Sequence, residues 1–99
     1  MKTVILSVVI LVTMTVVAYA DEQDDIVLRC RKQMGEYGSA MTKACVDQDI
    51  EAMNALNTYP SEAKPFIVRC KKQMASYGWA LTQACVDQDM DAEKSLEKY

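Results

Sequence analysis

Four cysteines, seven methionines and two acidic tracts are the residues of this 99-residue chain whose types and spacing could do chemistry. Cys30 and Cys45 are separated by the same interval as Cys70 and Cys85, and the second pair follows the first at an offset of forty. An even number of cysteines in equally spaced pairs points to disulfides, provided the chain reaches an oxidising compartment. Soft-metal binding is the other use of this sulfur. Cys30 with Met34, and Cys70 with Met74, stand one helical turn apart, with Met41 and Met53 nearby, and Cu(I) favours such ligands. Methionine also fills small helical cores, the chain has no histidine, and oxidised cysteines would be unavailable. The expectation is no metal and no cofactor.

The tracts "VDQDIEA" (46–52) and "VDQDMDA" (86–92) invite a calcium reading, because Asp87, Asp89 and Asp91 fall at the first, third and fifth positions of an EF-hand loop. The glycine needed at the sixth position is Ala92 and the acid needed at the twelfth is Lys98, while the first copy has Ala52 and Thr58 there. A solvated helix face is the expected reading. Catalytic groupings are missing as well. Without histidine, a G-x-S-x-G elbow or a glycine-rich phosphate loop, only carboxylates on helix faces remain, and nothing there raises a pKa. An enzyme is not expected.

The remaining candidates are for binding. Arg29, Arg31 and Lys32, then Arg69, Lys71 and Lys72, make a basic edge on each copy, opposed by Asp47, Asp49 and Glu51 or by Asp87, Asp89 and Asp91. These charges can pair across a hairpin for modest gain, or a partner can read them. Trp79, which replaces Ser39 of the first copy, either contacts a partner or covers the core between hairpins. Gln48 lies close in phase to the buried stripe, where it would hydrogen-bond between arms.

Positioning these residues requires repeated elements. Arg29–Tyr59 aligns with Arg69–Tyr99, with more than half the positions identical, the mark of one supersecondary unit used twice. Two copies suggest a closed pair rather than an array. Ile26, Cys30, Met34 and Tyr37, like Phe66, Cys70, Met74 and Tyr77, recur at helical spacing. So do Met41, Cys45, Ala52, Leu56 and Tyr59, and their equivalents Leu81, Cys85, Ala92, Leu96 and Tyr99. The fold class is all-α.

An unbroken helix would hold Cys30 and Cys45 roughly 22 Å apart, whereas a disulfide needs Cα atoms within about 7 Å. Two long antiparallel helices would set Cys45 against Trp79 and Cys30 against Lys94. Folding each copy at Tyr37–Gly38 and Tyr77–Gly78 brings the sulfurs together, with glycine suited to the corner and Ser39 available as an N-cap. The favoured pairing is Cys30–Cys45 with Cys70–Cys85. Cross-repeat pairing, Cys30–Cys70 with Cys45–Cys85, remains open, as do intermolecular or free thiols.

Residues 1–20 read as a cleaved signal peptide: Lys2, an apolar run from Val4 to Val17, then Ala18-Tyr19-Ala20. The alternative is an uncleaved anchor, for which the apolar run is short. Cleavage leaves residues 21–99 as one small all-α domain: repeat 1 (26–59), a proline-containing linker (60–65) that stops the helices on either side, and repeat 2 (66–99). Asp21 to Asp25 is expected to fray. Loss of Lys2 removes one base and no acid, so the formal charge of −3 becomes −4. That balance argues against nucleic acid and gives no pull toward anionic lipid.

The plan of antiparallel helices tied by cysteines is similar to that of the twin-cysteine helical hairpins, which carry two cysteines per helix at shorter spacing where this chain carries one. The sequence therefore leads to an exported, non-catalytic binding or accessory module with a protein partner, in the periplasm or outside the cell. A secreted effector, toxin or inhibitor is the alternative, and Cu(I) binding a further one.

Overall fold

The computed structural model describes residues 22–99, so the expected signal peptide and Asp21 lie outside the described residues. Among the described residues there are four α-helices and no strand: α1 (22–34), α2 (Ser39–Asn57), α3 (Lys64–Met74) and α4 (Trp79–Leu96). None of them is long and apolar enough to cross a membrane. The acidic lead-in does not fray. Glu22, Asp24 and Asp25 are part of α1 as far as it is described. Pro65 also behaves differently from expectation. It sits in the first turn of α3, where its missing N–H costs nothing, while Pro60 is extended between the end of α2 and a short 3-10 turn, Ser61–Ala63.

Each copy doubles back at its glycine. Gly38 and Gly78 adopt φ of 104° and 101° with extended ψ, a region open essentially only to glycine. Ser39 is not the N-cap but the first residue of α2, and no side chain of its own segment caps either second-arm helix. Instead the glycine carbonyl anchors the new helix. Thr42 donates to Gly38 O through its N–H at 3.2 Å and its hydroxyl at 3.1 Å, and Thr82 does the same to Gly78 O at 3.1 and 2.8 Å. The second corner is built like the first although Ala75 and Trp79 replace Gly35 and Ser39.

The corners bring sulfur onto sulfur within each copy. Cys30 is bonded to Cys45 and Cys70 to Cys85, with Cα atoms 5.7 and 5.8 Å apart, so the cross-repeat pairing is not adopted. Cys30 and Cys70 are completely buried, which makes each staple part of the core. Ile26, Cys30 and Met53 form one cluster, and Leu56, Cys70 and Val86 the other, with Trp79 packed against both. Leu56 belongs to repeat 1 yet is buried in the cluster of repeat 2. Each closed loop of fifteen residues stabilises the fold by about 3 kcal/mol in the chain-entropy model, a large contribution where so little apolar surface is buried.

The pair is not closed as two copies had suggested. The late half of α2 packs on the early half of α4, but among the described residues no helix covers the last turns of α4 in the same way. Leu56 is 5 % exposed and its equivalent Leu96 is 61 % exposed, while Tyr99 is fully exposed. The later part of the apolar stripe expected along the second arms is therefore covered in repeat 1 (Ala52, Leu56 and Tyr59) and open in repeat 2 (Ala92, Leu96 and Tyr99), whereas Met41 and Leu81 are exposed in both copies.

Candidate functional site

The centre of the junction is an ion pair in an apolar stripe. Cys45, Asp49, Ala52 and Leu56 follow one another at steps of four, three and four along α2, and Asp49 is only 3 % exposed. The guanidinium of Arg29, on α1, lies against Asp49 Oδ2, which accepts no other hydrogen bond. Asp49 Oδ1 accepts the Ala80 N–H of α4 at 3.1 Å. A carboxylate from repeat 1 thus caps the N-terminus of a helix in repeat 2, where the dipole and the free N–H groups favour negative charge. Arg29 extends the junction by donating to Tyr77 O at 3.4 Å and to Gln33 Oε1 at 2.8 Å, and Gln33 donates to Ser76 O at 3.4 Å. Burial pulls the Arg29 pKa down from its ordinary value, and the side chain keeps its charge because arginine starts so high.

Gly78 makes this approach possible. A Cβ there would come within 2.5 Å of both Arg29 Cζ and Asp49 Oδ2. At Gly38 the same added atom meets nothing within 4 Å. The pair equivalent to Arg29–Asp49 is Arg69–Asp89, joined at 2.6 Å but with side chains 52 % and 36 % exposed and no glycine corner seated on them. Tyr59 shows the same one-sidedness. Its hydroxyl donates to Asp87 Oδ1 at 2.6 Å and accepts from Gln83 Nε2 at 3.1 Å, and the Asp87 bond, with some burial, raises its pKa. The equivalent Tyr99 makes no such bonds among the described residues, and Lys43 is paired to Asp47 at 2.6 Å instead; that bond raises the Lys43 pKa.

The chain matches no protein-family model, no curated protein and no solved structure. Its own geometry is the guide to function.

The basic edges are divided by that geometry. Arg29 is not on the outer face but inside the junction. Lys71 holds its ammonium 5.0 Å from the centre of the Trp79 ring, and Arg69 stands 5.4 Å over Phe66. Arg31, Lys32 and Lys72 are exposed and form no ion pair among the described residues. Trp79 is half-buried between the two clusters. Gln48 faces solvent, and the polar group at that turn of the stripe is its neighbour Asp49. Cys70, Cys85 and Asp89 place ligand-type atoms within 4.8 Å of one another, but both sulfurs are in a disulfide and no cysteine is free, so no thiolate is offered to a soft metal. The two acidic tracts lie within continuous helix, which does not wrap a cation as a calcium loop does.

Proposed function

We propose that the chain is a non-catalytic binding or accessory module, exported to the bacterial cell envelope and acting through protein–protein contact. Cleavage after Ala20 releases residues 21–99 into the periplasm or the medium, where oxidising conditions close both staples. One observation carries the reading. A doubly stapled frame leaves the last turns of α4, from Asp91 on, exposed, although Leu96 and Tyr99 occupy positions that are covered in repeat 1. Apolar side chains beside an exposed Arg69–Asp89 pair suit a protein surface with a polar rim. Phosphate-rich ligands are disfavoured by the acidic balance.

Cross-linking in intact cells, followed by isolation from the envelope fraction, tests this reading. The expected result is a defined cross-linked species formed through α4, with no harm to foreign cells exposed to the purified protein. Killing of such cells would favour the secreted effector, toxin or inhibitor. Cu(I) binding would require prior reduction of the disulfides, and a colorimetric competition assay on oxidised protein should show no uptake.

A further inference from the structure

We infer that the partner of the open α4 face is a second copy of this chain, joined head to tail so that repeat 2 of one molecule docks on repeat 1 of the next as repeat 1 docks on repeat 2 within the molecule. The internal junction is the template. Its giving side is Arg29, Asp49, Leu56 and Tyr59; its receiving side is the Gly78 corner with the Ala80 N–H, Gln83 and Asp87. Shifted by forty, the giving side becomes Arg69, Asp89, Leu96 and Tyr99, which are all solvent-accessible. The receiving side becomes the Gly38 corner with Ala40, Lys43 and Asp47, also uncovered. Gly38 keeps the backbone conformation of Gly78, and beside it runs an open groove of about 490 Å³ lined by Arg31, Gly38, Ser39 and Lys43 among others.

Where the two junctions differ, the differences are complementary. Met53 shares a groove with Lys71 and Trp79 inside the molecule. Its equivalent is Glu93, and the groups it would meet in the neighbouring copy are Arg31 and Ser39. An apolar anchor against tryptophan is replaced by an acid against a guanidinium, and the smaller serine leaves room for it. Arg31, unpaired among the described residues, gains a partner by this placement. Because the contact is non-reciprocal, the interface is heterologous, and assembly continues past two copies until a ring closes or a filament grows.

This inference deepens the binding-module reading by naming the partner. Sedimentation velocity on the exported, disulfide-bonded protein tests it, at low and high salt. Wild-type protein should give species larger than a dimer as concentration rises, and salt should shift them toward monomer. Glu93→Lys on the giving side and Arg31→Glu on the receiving side should each weaken association about tenfold or more, since like charges then face each other. The two variants mixed should assemble again past a dimer, with the variants alternating, and so should the double variant Arg31→Glu/Glu93→Lys on its own. Wild-type protein that stays monomeric up to about 1 mM, growth that stops at a symmetric dimer, or association indifferent to both reversals would overturn the inference. Such a failure leaves the envelope cross-link of the binding-module reading as a separate result.

Discussion

Asp49 and Asp89 occupy the same place in the same four-residue sequence, VDQD, and their replacement by alanine should have very different consequences. Asp49→Ala removes a buried carboxylate, leaves the Arg29 guanidinium without its counter-charge and uncaps Ala80. Breaking a fully buried pair costs about 3–5 kcal/mol. Arg29 keeps some contact with water, its side chain being 18 % exposed, so the expected cost is about 2–4 kcal/mol. Asp89→Ala breaks a pair whose members are largely solvated and should cost about 0–1 kcal/mol. The difference is a large fraction of the stability of a small domain. At roughly 4–8 °C per kcal/mol for this size, the two variants should melt about 10–20 °C apart. The assay is thermal or urea unfolding followed by helical circular dichroism. Disulfides stay intact, and the protein is kept dilute so that association does not contribute. Equal losses in the two variants would refute the non-reciprocal junction.

Gly78→Ala and Gly38→Ala provide a second internal comparison: both strain a positive φ at about 1–3 kcal/mol, but only at Gly78 does the new atom strike Arg29 and Asp49, so that variant should lose markedly more in urea unfolding. Replacing either cysteine pair by serine should cost about 3 kcal/mol from loop entropy, read as a lower urea midpoint. Tyr59 carries a pKa raised by its bond to Asp87 and by burial. Its contribution to stability is therefore complete below the ordinary tyrosine value of about 10 and is lost as pH rises through the higher folded value. Ultraviolet titration of wild type against Tyr59→Phe should show the missing phenol ionising late, and a phenol that ionises with the unfolded chain would contradict the bond.

The hairpins were legible in the sequence because every signal for them is local. Cysteines fifteen apart with a glycine midway allow little but a corner, and the helical period of Ile26, Cys30 and Met34 holds on either side. The charge pairing across arms was legible too, as Arg29–Asp49 and Arg69–Asp89. The junction was not. Asp49 and Asp89 follow the same A-C-V-D-Q and are each followed by an apolar residue and an acid, Ile50-Glu51 and Met90-Asp91, so little that is local distinguishes a buried cap from an exposed pair. The available clue was phase: Asp49 falls in line with Cys45, Ala52 and Leu56, whereas Gln48, one step away, points to water. Thr42 and Thr82, which tie the corners through hydroxyl bonds, were missed because a threonine in the first turn of a helix is unremarkable until the glycine carbonyl beneath it is known. The linker was misjudged at Pro65 because proline is compatible with a first helical turn as well as with a break.

The whole account stands on each half being a hairpin closed by its own sulfur bridge, and peptide mapping of the non-reduced protein tests that directly. Trypsin cuts after Arg29 and Arg31 and after Arg69 and Lys71, so Cys30 and Cys70 are released on dipeptides. The account predicts Cys30-Arg31 joined to the peptide that carries Cys45, and Cys70-Lys71 joined to the peptide that carries Cys85. The two dipeptides joined to each other would contradict it.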